Sequence, residues 1–351
     1  MRKKMVAVLL TAAMAAAGMM GCSSSSSTET EASSAATTAA ETTAETEAAA
    51  TEAAAATGEH VGQTGDIAEP GSGEGQKVVL ITIDSMDQHW VNMDKGCQKA
   101  AEELGCDYQW MAPDVKDDAK QIECVNNAVA GGATAILIAA NGPDAITAAL
   151  KEADEAGVKI VQVDSFANYP CVQKLGTDNK AAGKMAGEEV LKALQAKGVT
   201  EGKIGIVSVN KATTSTVDRE EGFREAFAGT DFEILETQYA DGDAAKSKDA
   251  AANFITQGCV ALFGANEGSC VGVGNAVAED GNQIVAAGMD KSDAVIQLIK
   301  GDSLICTMAQ NPDVMGYEGM YAAITAINGG SVAPEYIDTG VSILTKDSLA
   351  E

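Results

Sequence analysis

Positive charge is scarce in this chain: 24 Lys and Arg stand against 51 Asp and Glu, for a formal net charge of −27. Nucleic acid and anionic lipid surfaces both need a basic footprint, so neither is expected as a partner. Histidine is scarcer still, with two among 351 residues. Apart from Cys22 the cysteines are Cys97, Cys106, Cys124, Cys171, Cys259, Cys270 and Cys306, an odd set without CxxC spacing. That pattern offers neither a disulfide framework nor a metal site, so no metal and no cofactor are expected. These seven read as small buried hydrophobes. No P-loop and no GxGxxG follows a strand, which speaks against phosphate and nucleotides. No GxSxG or other nucleophile context appears, which speaks against an enzyme.

The N-terminus carries what the rest lacks. Arg2, Lys3 and Lys4 are basic, Met5 to Ala17 is apolar, and Gly18-Met19-Met20-Gly21-Cys22 follows. The apolar run falls short of the roughly 20 residues a spanning helix needs, so a cleaved export signal over residues 1–22 is expected. The segment resembles a bacterial lipobox, with Met19 where that pattern usually has Leu. The resemblance implies diacylglycerol on the Cys22 thiol and a protein anchored at the extracytoplasmic face of the cell membrane. From Thr28 to Ala56 the chain uses almost only Ala, Thr, Glu and Ser. Such a stretch cannot bury enough apolar surface to offset its ordering entropy, so residues 23–76 are expected to be a disordered acidic tether. As a flexible coil it would reach about 40 Å root-mean-square.

About 275 residues remain from Lys77 onward, enough for two domains. They alternate short apolar runs with helical patterns. Val78–Ile83, Cys106–Met111, Ala135–Ile138 and Val158–Val163 read as strands. So do Ile204–Val209, Glu233–Tyr239, Val260–Phe263, Ile284–Ala287 and Leu304–Met308. Helical spacing between them, for example Trp90, Met93, Cys97, Ala101 and Leu104, predicts amphipathic helices. Near-continuous apolar strands separated by helices specify parallel sheets covered on both faces. The fold class is α/β, with two doubly wound parallel-sheet lobes.

Polar residues stand just past the strands: Asp84, Asn141 and Asp164 in the first series, then Asn210, Asn266, Asp290 and Gln310. Open parallel sheets bind ligands in the crevice at those ends. Carboxylates accept hydroxyl donors, carboxamides donate and accept, and the Trp90 indole can cover apolar C–H surface. The inventory suits a small neutral sugar or polyol. Asp and Asn also favour turns and helix caps, so position alone leaves Asp164, Asn266 and Asp290 open to that reading. Trp90 also has a core reading at helical spacing, and His89, Asp87 and Asn141 also have a reading as ordinary loop polarity.

At this point the chain, from about Lys77 to Thr345, resembles the type I periplasmic sugar-binding family, the ribose- and galactose-binding proteins of ABC importers. Trp90-Val-Asn-Met-Asp-Lys-Gly-Cys-Gln is similar to that family's first helix. Val161-Gln-Val-Asp164, Phe263-Gly-Ala-Asn266-Glu267 and Ala287-Gly-Met-Asp290 are similar to its ligand-bearing strand ends. Asp218-Arg219-Glu-Glu-Gly222-Phe223 resembles its R-x-x-G-F turn, and Thr307-Met-Ala-Gln310-Asn-Pro312 its hinge. The resemblance implies ligand contacts from Trp90, Asp164, Asn266, Asp290 and Gln310, with Asp87, His89 and Asn141 as further candidates. Arg219 is assigned to the turn and helix start, outside the ligand shell. The resemblance also implies crossings between lobes near Thr177, Gln310 and Pro334. One lobe would take residues 77–177 and 310–335, the other 178–309 and 336–349, closing about a hinge. The expected protein is a monomeric substrate-binding lipoprotein that captures a monosaccharide or small polyol for an ABC permease. The alternative is a receptor that senses a sugar or furanone-like autoinducer. Ser165 stands where ribose-type members have Arg, neither Thr216 nor Val217 is basic, and His89 replaces an aromatic, so ribose itself is not the expected ligand.

Overall fold

The computed structural model of the protein describes residues 70–350. The signal segment with Cys22 and the tether up to residue 69 lie outside the described residues. The chain builds β1 (Lys77–Ile81), α1 (Gln88–Leu104), β2 (Asp107–Met111), α2 (Asp118–Ala130), β3 (Ala135–Ile138), α3 (Thr147–Glu155), β4 (Lys159–Val163) and β5 (Lys174–Gly176). It continues through α4 (Asn179–Ala196), β6 (Glu201–Ser208), α5 (Thr214–Ala226), β7 (Asp231–Ile234), β8 (Gln238–Tyr239) and α6 (Ala244–Thr256). Then come β9 (Cys259–Gly264), α7 (Glu267–Glu279), β10 (Val285–Met289), α8 (Asp293–Lys300) and β11 (Cys306–Gln310). The last elements are α9 (Pro312–Ile327), β12 (Tyr336–Asp338) and β13 (Val341–Thr345).

Two sheets result. The first runs β12-β5-β4-β3-β1-β2 and the second β13-β11-β10-β9-β6-β7, with β8 also on β6. The expected doubly wound α/β lobes are therefore present. Alternation along each strand sends side chains to both faces. Val78 and Leu80 pack with Met93 of α1 and Met320 of α9, whereas Val79 and Ile81 pack with Val125 of α2 and Leu150 of α3. In the second lobe Ile204, Ile206 and Phe263 meet Val190 of α4 and Phe223 of α5. Val207 and Leu262 meet Phe254 of α6 and Val273 of α7 on the opposite face. Glycine lets the paired helices touch: a Cβ on Gly96 would lie 2.0 Å from the Asp313 carbonyl oxygen, and one on Gly222 1.9 Å from that of Lys180. The seven described cysteines are free thiols, four buried and three half-buried.

Several expectations need correction. Residues 70–76 belong to the folded body: Gly73 N–H donates to the Leu104 carbonyl at 2.9 Å, and Asn328 Nδ2 donates to the carbonyls of Pro70 and Ser72. Glu233–Tyr239 splits into β7 and β8. The short strands β5, β12 and β13 were not expected, and β13 runs antiparallel to β11. Because β12 pairs with β5 in the first sheet, the third crossing falls at Thr339–Gly340 rather than near Pro334. The crossings are stitched together, since Thr339 N–H donates to Gly176 O at 2.7 Å and Asn311 Nδ2 to Thr339 O at 2.8 Å.

Candidate ligand-binding site

Two carboxylates mark the strand ends by their backbone. Asp164 directly follows β4 with a φ of 58°, and Asp290 directly follows β10 with a φ of 73°. A non-glycine residue in this left-handed region gives up roughly 1–2 kcal/mol. Such strain persists where surrounding structure over-determines it, and it collects at functional sites.

His89 joins the two. It is the second residue of α1, and its Nε2 lies 2.9 Å from Asp164 Oδ2 while its Nδ1 lies 3.5 Å from Asp290 Oδ1. Burial alone would push the imidazole down. The Asp164 charge and hydrogen bond, with Asp290 adding, overcome it and hold His89 up at about 9. Near neutral pH it is an imidazolium bridging both lobes. Asp164, although buried, is held below the usual carboxylate range by His89 and Arg219. The Trp90 ring stands edge-on to His89 with centroids 4.7 Å apart.

The second lobe supplies the opposite wall. Gln310, at the end of β11, donates through Nε2 to Asp290 Oδ1. Asn266 serves twice: its Oδ1 caps α7 by accepting from Ser269 N–H at 3.1 Å, and its Nδ2 reaches Asp87 Oδ2 across the cleft at 3.4 Å. Arg219 lies within α5, not at its start, and is 2% exposed. Its Nε donates to Asn179 Oδ1 and its Nη1 to the Ala265 carbonyl. A third cation, Lys116 on the loop after β2, pairs with Asp84 at 2.8 Å and Asp87 at 3.4 Å. Burial nevertheless raises Asp87 to about 7, since Lys116 opposes it while Asp84, Glu267 and Asp290 add repulsion.

These groups line one cavity of about 30 Å³ between the lobes, room for about two water molecules. Trp90, Asp164, Asn266, Asp290, Gln310, Asp87 and His89 all border it. Asn141 does not. Its amide is spent on Asp118, and its carbonyl accepts from Thr213 Oγ1 at 2.8 Å, so it serves as a contact between lobes. Sequence reasoning missed Lys116 and Arg219, and also the lining hydroxyls of Thr213, Ser215 and Thr216. The R-x-x-G-F motif singles out Arg219, though outside the ligand shell, and the strand-end position of its loop signals Lys116. Three buried polar atoms on lining residues have no hydrogen-bond partner among the described residues: the donors Trp90 Nε1 and Arg219 Nη2, and the acceptor Gln310 Oε1. Leaving such groups unmatched is costly, on the order of 1–3 kcal/mol each. The set is ready for a molecule that both accepts and donates.

Two doubly wound lobes, three crossings and a polar cavity between facing strand ends define the architecture of a two-lobed small-molecule binding protein. Residues 78–331 match the family model described as a periplasmic binding protein domain. The chain belongs to this family. It is 27% identical over 271 residues to the ribose import binding protein RbsB of Haemophilus influenzae, covering 76% of this chain and 91% of that protein. It is 26% identical to the D-allose-binding periplasmic protein of Escherichia coli, over 73% of this chain and 86% of that one. Among solved structures, a carbohydrate transporter solute-binding protein from Agrobacterium radiobacter, in complex with D-arabinose, is 27% identical with a TM-score of 0.76. It covers 79% of this chain and 97% of its own. An ABC transporter solute-binding protein from Agrobacterium vitis with bound D-fucose is 29% identical with a TM-score of 0.72, over 77% and 96% of the two chains. No helix among the described residues is long and apolar enough to cross a membrane.

Proposed function

We propose that this chain is the extracytoplasmic substrate-binding lipoprotein of an ABC importer, capturing a monosaccharide or similar small polyol by closing its two lobes. The observation that carries the reading is the unmatched polar set in the cavity. Trp90 Nε1 and Arg219 Nη2 have a proton to give, and Gln310 Oε1 has a lone pair to receive one. Asp164 and Asp290 add carboxylates beside them. A hydroxyl donates and accepts at once, so vicinal hydroxyls satisfy this mixture where a purely anionic or cationic ligand would not. The sugars named with the relatives, ribose, allose, D-arabinose and D-fucose, are neutral polyhydroxy compounds. The polar lining residues are almost wholly buried between the lobes, which favours entry by lobe opening about the stitched crossings.

The ligand would hydrogen-bond Asp164 in the first lobe with Trp90 on its face, and lobe two would close with Asn266, Asp290, Gln310 and Arg219. Ser165 and His89 depart from the ribose-type pattern, so a different pentose, hexose or inositol is the expected ligand. Thermal-shift screening of the full chain against pentoses, hexoses, inositols and furanones tests the reading. A true ligand at a hundredfold excess over its Kd stabilises by about 2.7 kcal/mol; no shift from any neutral polyol would overturn it. The anchor has its own test. Cys22→Ala releases the protein from the membrane fraction, and retention there would sink the lipoprotein assignment.

A further inference from the structure

Helix α1 begins with a borrowed cap. Its N-cap residue, Asp87, makes no side-chain capping bond, because its carboxylate faces Lys116 and Asn266. The first N–H groups of a helix need acceptors. Those of Gln88 and His89 find them in the other lobe. Gln88 N–H donates to Glu267 Oε1 at 3.0 Å, and His89 N–H donates to Glu267 Oε2 at 3.0 Å. Glu267 opens α7 yet does not cap it, since Asn266 has that task. It is 7% exposed and is not among the residues lining the cavity. A buried carboxylate at a helix N-terminus, with both oxygens bonded, is favoured by the charge-assisted bonds and the helix dipole together. The bonds and the α1 dipole act on it only while the lobes are together. In an open form water would replace the backbone donors, and only the dipole of its own helix α7 would remain.

We infer that Glu267 is a closure latch: by capping α1 across the cleft it holds the lobes together and positions His89 and Trp90 at the ligand. The inference rests on lobe closure as the mode of capture. It assigns Glu267 the role of a positioning residue, acting through the start of α1 and not by touching the ligand. Its consequence is quantitative, because a ligand that needs the closed form binds more weakly in proportion as that form is depopulated.

Hydrogen exchange on the ligand-free full chain tests it without knowledge of the ligand. Two other amides cross the cleft: Phe166 N–H to Thr214 Oγ1 at 3.2 Å, away from this cap, and Asp293 N–H to Oε1 of the capped Gln88 at 3.1 Å. Glu267→Ala should lower protection at Gln88 and His89, and also roughly tenfold at Phe166 and Asp293, as the lobes part more often. Glu267→Gln keeps an acceptor without the charge and should fall between. Glu279→Ala, an exposed change on the same helix, should leave all four amides unaltered. Retained protection of Val79 and Ile206 in the two cores verifies the fold. Loss confined to Gln88, His89 and Asp293, with Phe166 unchanged, would make Glu267 a local cap and overturn the latch, as would unchanged protection at all four. A failed sugar screen would leave these readouts standing, so the two readings fail separately.

Discussion

The two lobes order their strands alike, since β2-β1-β3-β4-β5-β12 and β7-β6-β9-β10-β11-β13 follow the same sequence of positions. They fill that plan differently. Of the six phenylalanines in the chain, five (Phe223, Phe227, Phe232, Phe254 and Phe263) lie in the second lobe. Phe223 stacks on Phe263 with centroids 4.5 Å apart. The first lobe builds its core from Leu, Ile, Val and Met and holds both tryptophans, Trp90 and Trp110. Trp110 spends its Nε1 on Thr82 Oγ1 at 2.9 Å, whereas that of Trp90 has no partner among the described residues. Apolar rings therefore fill the core of one lobe, while of the two indoles in the other Trp90 borders the cleft. The same fold plan thus takes two different ring packings while both lobes supply polar groups to the site.

The largest effect should come from the ring-filled core. Phe263→Ala in β9 is expected to cost about 3 to 5 kcal/mol and Leu137→Ala in the matching β3 about 2 to 5, both read by chemical denaturation. A Phe263→Ala loss below that of an ordinary surface change would break the contrast. Next comes His89, the cation between the lobes. Its value is raised from 6.5 to about 9, so its stabilisation is full below pH 6.5 and is lost as pH rises through 9. By linkage the wild type should lose about 3 kcal/mol more than His89→Gln over that window, and parallel pH profiles would refute the bridge. Asp164→Ala and Asp290→Ala, one from each wall, should each weaken sugar binding at least about tenfold in calorimetry while leaving the fold intact. If only one of them does so, the walls do not share the ligand. Smallest is Asn141→Ala, which removes no cavity-lining group and should change affinity by no more than about twofold.

Much of this was legible in the chain. Runs such as Ala135-Ile-Leu-Ile138 are buried on every residue because the sheet is covered on both faces. The elements that escaped are those too short for periodicity, such as Lys174-Leu-Gly176 in β5 and the three residues of β12. Seven of the candidate residues, five at strand ends or in loops and two in the first turn of α1, border the cavity. Asn141 stands at an equivalent strand end, but Asp118 on the preceding helix α2 draws its amide away. Arg219 and Lys116 escaped because their partners, Asn179 and Ala265 for one and Asp84 and Asp87 for the other, are brought beside them only by the fold. Glu267 escaped as anything beyond a motif neighbour because its partners lie in another lobe.

The sequence by itself determined which residues stand at the strand ends. Alternating apolar and amphipathic stretches dictate strands and helices locally, and a polar residue after an apolar strand marks where the sheet stops. The tertiary structure alone decided which of them share a cavity and what charge they carry there. His89 and Asp164 are 75 residues apart, and Glu267 is 178 residues from the His89 amide it accepts from. The first pair forms within one lobe and the second only when two lobes meet, and the Asp164 and Asp290 charges, acting against burial, turn a neutral imidazole into a bridging cation. Pair electrostatics and hydrogen bonds depend on distance and desolvation, which no order of residues along a chain contains.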